Sequence, residues 1–266
     1  MPQPNIRLAT LLSPVLYETY KYIAYYLGER LGLATSLHTG QGLTEFARGE
    51  VEIGLLCGLL YVHLSEDAYC PVELLAAPVL LDERYRDKPC YFSDVVVRRA
   101  SPYFSFKDLR GCVWAYNERA SHSGYNLVSY SLLQRGLSLD YFQQTVATGA
   151  HLQSLRAVLD GAVDAAALDS QLLDVLLQQQ PELHSKLRVI AMLGPSPIPP
   201  LIIMKNLDAA LKQRIQETLL SMHNDPQATR MLGKGQIKRF VAVSDADYDP
   251  LRIMFAQVQQ STLAVL

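Results

Sequence analysis

Short apolar runs alternate with helix-like segments along this chain, and that order constrains its fold more than any other feature. A β-α-β-α-β series opens the sequence: strand NIRLATLL (5–12), helix TYKYIAYYLGERLG (19–32), strand ATSLHT (34–39), helix GLTEFARGE (42–50) and strand VEIGLLC (51–57). Such a series is typical of a parallel sheet covered by helices, with right-handed crossovers. The pattern predicts an α/β fold.

The same order recurs over residues 112–169, where CVWAYN, FQQTVAT and VDAAALD predict strands and helical patterns lie between them. The passages FARGEVEIGLL and VLDGAVDAAAL share one pattern, with Gly49 in the first matching Gly161 in the second. We expect each glycine to end its helix in a left-handed conformation before the next strand. The repeat predicts two lobes of like topology.

Two extended segments connect the predicted lobes. CYFSDVVVRRASP leads into the second lobe, and KLRVIAMLGPSPIPPLIIM leads back, its prolines excluding a helix. We therefore assign residues 1–92 and 196–266 to lobe one and residues 93–195 to lobe two. A ligand cleft is expected between the lobes, as in hinged two-lobed proteins.

Composition narrows the function. The chain of 266 residues is 49% hydrophobic and 19% charged with a net charge of −2, which favours a packed globular protein and disfavours a nucleic-acid partner. No apolar run is long enough to span a membrane. The N-terminus shows no secretory signal, so we expect a cytoplasmic protein if the chain is complete and a periplasmic one if a signal was removed. The four cysteines lack CxxC spacing, which predicts free thiols and no zinc site.

The stretch ERASHSGYN (118–126) falls where a predicted strand meets a predicted helix. Ser121, His122 and Ser123 are consecutive donor side chains, and Gly124 would let a ligand approach the backbone. A helix start carries unpaired N–H groups and a partial positive charge, which suit an anion. Serine is also a common helix cap. The stretch therefore predicts an anion site or a simple cap.

Four passages resemble the phosphonate/phosphite-binding proteins of ABC transporters, in that family's order: YFSDVVVRRASP, FKDLRGCVWAYNERASHSGY, GAHLQSLRAVLDGAVDAAALDS and FVAVSDADYDPLR. The most specific part is S-x-S-G-Y before a helix, followed by the G-x-H motif that ends at His151. The resemblance implies the type II periplasmic-binding-protein clamshell, in which two α/β lobes, each with a mostly parallel sheet, are joined by two hinge strands.

The resemblance also implies a ligand site. Ser121, His122 and Ser123 match the Ser-Thr-Ser that holds the phosphonate oxygens, with His122 in place of threonine. Tyr91 matches a hinge tyrosine that donates its hydroxyl to the ligand, and His151 matches a histidine that reaches the same oxyanion.

Other positions refine the expected ligand. Thr39 stands where some members carry a ligand-contacting tyrosine, and Tyr17 is expected to line the cleft. Gln171 and Pro199 replace the acids that hold an amine in binders of aminoalkylphosphonates, which favours phosphite, methylphosphonate or phosphate. Asp169 is expected to accept a hydrogen bond from a protonated ligand oxygen.

We therefore predict a monomeric solute-binding protein for a small phosphorus oxyanion, serving an ABC transporter permease, with no catalytic residue, cofactor or metal. A cytosolic enzyme or a ligand sensor on the same clamshell is the alternative. The chain shows no Ser/His/Asp order, HExxH motif or paired carboxylates at a strand end to support catalysis.

Overall fold

Two sheets, each flanked by helices, make up the structure. The computed structural model describes residues 5–67 and 69–263. Unit 1 runs to Cys90 and resumes over Pro197–Asp249. Unit 2 comprises Tyr91–Ser196 and continues from Pro250. The chain therefore passes between the units three times, once more than the sequence predicts.

The elements alternate along the chain. The strands are β1 Asn5–Thr10, β2 Ala34–Thr39, β3 Ile53–Leu55, β4 Val72–Leu80, β5 Cys90–Arg98, β6 Val113–Tyr116, β7 Gln144–Ala147, β8 Ala165–Asp169, β9 Leu187–Pro197, β10 Leu201–Met204 and β11 Ile237–Val241. The α-helices are α1 Tyr17–Leu31, α2 Thr44–Ala47, α3 Gly58–Ser65, α4 Leu127–Leu133, α5 His151–Asp160, α6 Ser170–Gln179, α7 Leu183–Lys186, α8 Ala209–Ser221, α9 Pro226–Lys234 and α10 Asp249–Leu263.

The sheet of unit 1 has the order β11-β4-β10-β3-β1-β2. Strand β1 pairs in parallel with β2 and β3, as the predicted β-α-β-α-β series requires. The other half of the sheet is antiparallel, because β10 pairs with β3 and β4, and β11 pairs with β4. The α/β fold class is confirmed, but this sheet is mixed, with three antiparallel pairings and two parallel ones, where a mostly parallel sheet was expected.

The sheet of unit 2 has the order β7-β6-β8-β5-β9. Strands β7 and β8 flank β6 in parallel, whereas β5 is antiparallel to β8. The core contains Trp114, whose ring stacks on Phe142 at 4.6 Å between centroids. Because the carboxyl ends of parallel strands meet at one edge, the segments after β6, β7 and β8 start from the same side of unit 2.

The two glycines that the sequence singles out end their helices as predicted. Gly161 caps α5 with φ 75°, and Gly49 follows α2 with φ 65°. Both angles lie in the left-handed region that glycine enters without steric cost.

Helix α10 packs on unit 2, where the sequence assigned it to lobe one. Met254 packs against the unit 2 core, and Gln134 Nε2 donates to Gln257 Oε1 at 3.1 Å. Leu251 and Val258 are buried. The spacing of these apolar residues predicts a buried helix face, but it carries no information about which of two cores that face covers. Within residues 5–67 and 69–263, no helix combines the length and apolarity that crossing a membrane requires.

Candidate functional site

The carboxyl edge of the unit 2 sheet gathers most of the predicted site residues. Ser121 and Ser123 lie in the connection after β6, His151 begins α5 after β7, and Asp169 ends β8. Tyr91 lies on β5 in the same unit. Their common origin is the parallel arrangement of β6, β7 and β8, which starts each following segment from one side.

Ser121 caps the helix that follows it. Its Oγ accepts a hydrogen bond from the Gly124 N–H at 3.1 Å, and its carbonyl accepts from the Asn126 N–H at 3.1 Å. The first turn, His122–Asn126, is a π-helix that runs directly into α4. The simple cap that the sequence left open is therefore present. It engages neither Ser123 nor His122, so the cap does not account for the three consecutive donors.

His122 is turned into the protein. Its side chain is 0% exposed, Nδ1 lies 3.1 Å from Asn126 Nδ2, and Nε2 lies 2.7 Å from Ser196 Oγ. An amide nitrogen only donates, so Nδ1 accepts, and Nε2 carries the hydrogen and donates to Ser196. Burial lowers the pKa of His122 to about 3. The sequence predicted that this ring binds the ligand. In the structure the ring is neutral at pH 7, and both of its nitrogens are hydrogen-bonded to residues of unit 2.

Ser123 and His151 form a second pair, across two helix starts. Ser123 Oγ lies 3.1 Å from His151 Nε2, and the Ser123 carbonyl accepts from Ser93 Oγ at 2.6 Å. Burial lowers the pKa of His151 to about 4, so the ring is neutral at pH 7. His151 Nδ1 is buried with no hydrogen-bond partner among the described residues. Helix α5 begins after Ala150, so no side chain caps it.

Asn117 and Gly124 complete this group. A Cβ atom on Gly124 would lie 1.9 Å from Asn117 Oδ1 and 3.3 Å from His151 Cε1, so only glycine leaves room for the asparagine. Asn117 is 8% exposed, and its Oδ1 has no hydrogen-bond partner in the part of the chain that the structure describes. Asn117 was not predicted from the sequence, in which its signal was a polar residue directly after a buried strand and shortly before Ser121. We call Asn117, Ser121, Ser123, Gly124 and His151 the helix-start cluster.

Asp169 serves as the cap of α6. Its Oδ1 accepts from the Leu172 N–H at 3.1 Å. Burial raises the pKa of Asp169 to about 7, against the opposing effect of hydrogen bonds from the backbone of Leu172 and Gln171. In the β5–β8 pairing it lies opposite Ser93, whose hydroxyl holds Ser123. Asp169 therefore lies opposite a residue that contacts the helix-start cluster, and part of its acceptor capacity is already used.

Tyr91 lies behind His122. It is 1% exposed, and the two ring centroids are 6.4 Å apart. In this structure its ring is part of the packing that holds His122, and a hydroxyl contact with a ligand stays a prediction.

Thr39 and Tyr17 lie in unit 1. Thr39 ends β2 and is exposed, and it pairs in register with Thr10. Tyr17 begins α1, and its hydroxyl donates to the Leu37 carbonyl at 3.1 Å. Their contribution to ligand binding also stays a prediction.

All four cysteines are free, as the sequence predicts. Three are half-buried and Cys112 is buried, where loss of solvation raises its thiol pKa to about 12. Over the described residues, no group of three or more His, Cys, Asp or Glu is placed to hold a metal ion. The helix-start cluster consists of hydrogen-bonding groups at two helix starts, and all of them are neutral at pH 7 because burial keeps His151 uncharged.

A sequence profile identifies the family. The profile described as ABC transporter, phosphonate, periplasmic substrate-binding protein matches residues 8–248. The chain belongs to this family. Its members are solute-binding components of transporters, and the family is periplasmic.

Solved structures show the same fold. A binding-protein component of an ABC phosphonate transporter from Pseudomonas aeruginosa is 19% identical with a TM-score of 0.84, over 98% of this chain and 89% of that one. PhnD1 from Prochlorococcus marinus, in complex with methylphosphonate, is 17% identical with a TM-score of 0.82, over 96% and 98%. XAC2383 from Xanthomonas citri, bound to ATP, is 20% identical with a TM-score of 0.69, over 96% and 97%. The predicted fold and solute-binding role are confirmed.

Proposed function

We propose that this protein binds a small phosphorus oxyanion, such as phosphite, methylphosphonate or phosphate, at the helix-start cluster of unit 2. The observation that carries the proposal is a pair of buried polar atoms, His151 Nδ1 and Asn117 Oδ1, that have no hydrogen-bond partner among the described residues and belong to side chains beside Gly124. Buried polar atoms in folded proteins are nearly always hydrogen-bonded, so two such atoms beside one glycine support a ligand that bonds to them.

Neutral groups are sufficient to hold such an anion. The start of α5 and the turn at Ser121 each present backbone N–H groups and the positive end of a helix dipole. If the Ser123 hydroxyl donates to His151 Nε2, the neutral imidazole carries its hydrogen on Nδ1, where it can donate to a ligand oxygen. Such fixed donors in a water-poor site stabilise negative charge without a formal cation.

The proposal extends to the role of the protein in transport. Membership of the family supports a periplasmic location and delivery of the ligand to an ABC transporter permease. The complex of PhnD1 with methylphosphonate supports a ligand of that size. Gln171, where aminophosphonate binders carry an acid, supports a ligand without an amine. We include in the proposal that the chain is a monomer without catalytic activity, and that Thr39 and Tyr17 contribute from unit 1.

Thermal unfolding with a panel of ligands tests the proposed function. Phosphite, methylphosphonate or phosphate should stabilise the protein, by about 2.7 kcal/mol at a hundred times the dissociation constant, because a ligand that binds only the folded state shifts the unfolding equilibrium. 2-Aminoethylphosphonate and ATP should stabilise it less. A folded protein whose unfolding temperature responds to none of the three small oxyanions would refute the proposal. A larger response to ATP would assign a nucleotide instead.

Replacing Ser123 by alanine tests the position of the site. We expect the affinity for the stabilising oxyanion to fall by about 1–3 kcal/mol, since a hydrogen bond to a charged oxygen is lost and the tautomer of His151 is no longer set. Ser129→Ala is the matched control, because the Ser129 hydroxyl on α4 donates to the Tyr125 carbonyl at 3.0 Å. Calorimetry should show an unchanged dissociation constant for the control. An unchanged constant for Ser123→Ala would remove that hydroxyl from the site.

A further inference from the structure

Asn117 contacts both the loop before α5 and Gly124 of the helix-start cluster. It follows β6 directly, and its carbonyl accepts from the Gly149 N–H at 2.8 Å, which connects it to the loop before α5. Its side chain fills the space beside Gly124 that any Cβ atom would occupy. The Asn117 backbone is therefore bonded to the loop before α5, while its carboxamide oxygen lies against Gly124.

This oxygen is an acceptor that lacks a donor. Asn117 is only 8% exposed, and its Oδ1 has no hydrogen-bond partner among residues 5–67 and 69–263. A Cβ atom built on Gly124 would lie 1.9 Å from this oxygen and 3.3 Å from His151 Cε1, so the oxygen and the imidazole lie near the same glycine. A buried acceptor in that state destabilises the protein unless a donor arrives. The other groups of the cluster, hydroxyls and N–H groups, suit the oxygens of an anion. Asn117 Oδ1 suits a hydrogen.

We propose that Asn117 is a specificity-determining residue that accepts a hydrogen bond from the P–OH group of a singly protonated phosphorus oxyanion. The inference deepens the proposed function and rests on it. An oxyanion without a hydrogen, such as a sulfonate or sulfate, would bring a lone pair against Oδ1 and leave the acceptor unpaired. The site would then select protonated phosphorus acids against sulfur acids of the same shape.

Methylphosphonate and methanesulfonate are the matched probes. Both carry a methyl group and a tetrahedral head, and the singly protonated phosphonate has the same charge as the sulfonate. They differ in the one hydrogen that Asn117 would recognise. Calorimetry at about pH 5.5, below the second ionisation of phosphorus acids, which is near pH 6 for a phosphate monoester, keeps that hydrogen on the phosphonate.

For the wild-type protein we expect methylphosphonate to bind roughly 10–100-fold more tightly than methanesulfonate, the range expected for one satisfied against one unpaired buried acceptor. Asn117→Leu keeps a side chain of similar size without an acceptor, and should bring this ratio down by at least about tenfold. Asn224→Leu, at an exposed asparagine of unit 1, is the control and should leave the ratio unchanged. Asp169→Ala removes the rival acceptor, and should leave most of the ratio in place.

The outcomes separate the two proposals. If the wild type binds methylphosphonate and Asn117→Leu retains the full ratio, the role of Asn117 is overturned while the proposed function stands. Loss of the ratio in Asp169→Ala alone would assign the acceptor to Asp169 and overturn the inference. Failure of the wild type to bind methylphosphonate overturns the inference, and failure to bind phosphite and phosphate as well overturns both proposals. If circular dichroism shows that Asn117→Leu does not fold, Asn117→Ala, which introduces no added bulk beside Gly124, gives the same comparison.

Discussion

Replacing Gly124 by alanine is expected to lower the affinity for the oxyanion about 100-fold, because charge-assisted hydrogen bonds of about 1.5–3 kcal/mol each would be misplaced. The new Cβ would lie 1.9 Å from Asn117 Oδ1 and 2.9 Å from its Cγ, closer than atoms can approach. The carboxamide must move, or the turn at Ser121 must shift. Overpacking of this kind also costs about 1–3 kcal/mol of stability.

Isothermal calorimetry and urea unfolding of Gly124→Ala measure both effects. Gly233→Ala in α9 is the matched control, since a Cβ there meets nothing nearer than Leu81 Cδ1 at 4.0 Å. It should lose neither affinity nor stability. In the double variant Asn117→Ala/Gly124→Ala the clash is absent, so stability should return to that of Asn117→Ala. Wild-type affinity in Gly124→Ala would show that the Asn117–Gly124 contact has no part in binding.

Acid is expected to destabilise the protein through His122. The pKa of this ring is lowered to about 3 in the folded protein, whereas an exposed histidine titrates near 6.5. Below about pH 6.5 the His122 ring is therefore protonated in the unfolded chain but stays neutral in the folded protein. The contribution of this group to the free energy of unfolding is therefore complete above the pKa of the unfolded state. It decreases by about 2–3 kcal/mol as the pH is lowered from about 8 to about 4.5.

Comparison with His122→Gln isolates the effect. Urea unfolding across this pH range should show that the wild type loses about 2–3 kcal/mol more than the variant, because glutamine does not titrate. As the pH falls, His151 also lowers the stability of the folded protein, because its pKa is lowered, whereas Asp169 raises the stability, because its pKa is raised. Both residues remain in the variant, so their contributions cancel when the variant is compared with the wild type. His184→Gln, at an exposed histidine of α7, should behave as wild type. Parallel pH curves for wild type and His122→Gln would contradict the assigned neutral ring.

A neutral His122 also bears on binding. A histidine that gained a charge in the binding site would make the affinity for an anion depend on pH. With both ring nitrogens bonded to Asn126 and Ser196, the ring should carry no charge between about pH 5.5 and 8. Any pH dependence of affinity in that range should then persist in His122→Gln, as measured by calorimetry at several pH values.

Local patterns were enough to predict the parallel half of each sheet. Apolar runs with helical spacing between them identify β1, β2 and β3 and the helices that connect them, because a βαβ unit is built from neighbours in sequence. The left-handed caps at Gly49 and Gly161 are local for the same reason. The antiparallel strands β4, β10 and β11 pair with partners distant in the chain, and a short apolar run does not identify its partner. The same limit applies to α10: the sequence predicts its apolar face, but not which of the two cores that face packs against.

What the sequence determined by itself was the alternation of elements, a stretch of donor side chains that suits a helix start, and the two histidines placed near a strand edge, since each depends on residue type and short spacing. The tertiary structure alone decided which of these groups face one another. Burial turned His122 toward Ser196 and Asn126, and packing set Asn117 against Gly124 and His151, with one acceptor left unpaired. These contacts join separate loops, and their energies depend on burial that no local pattern encodes.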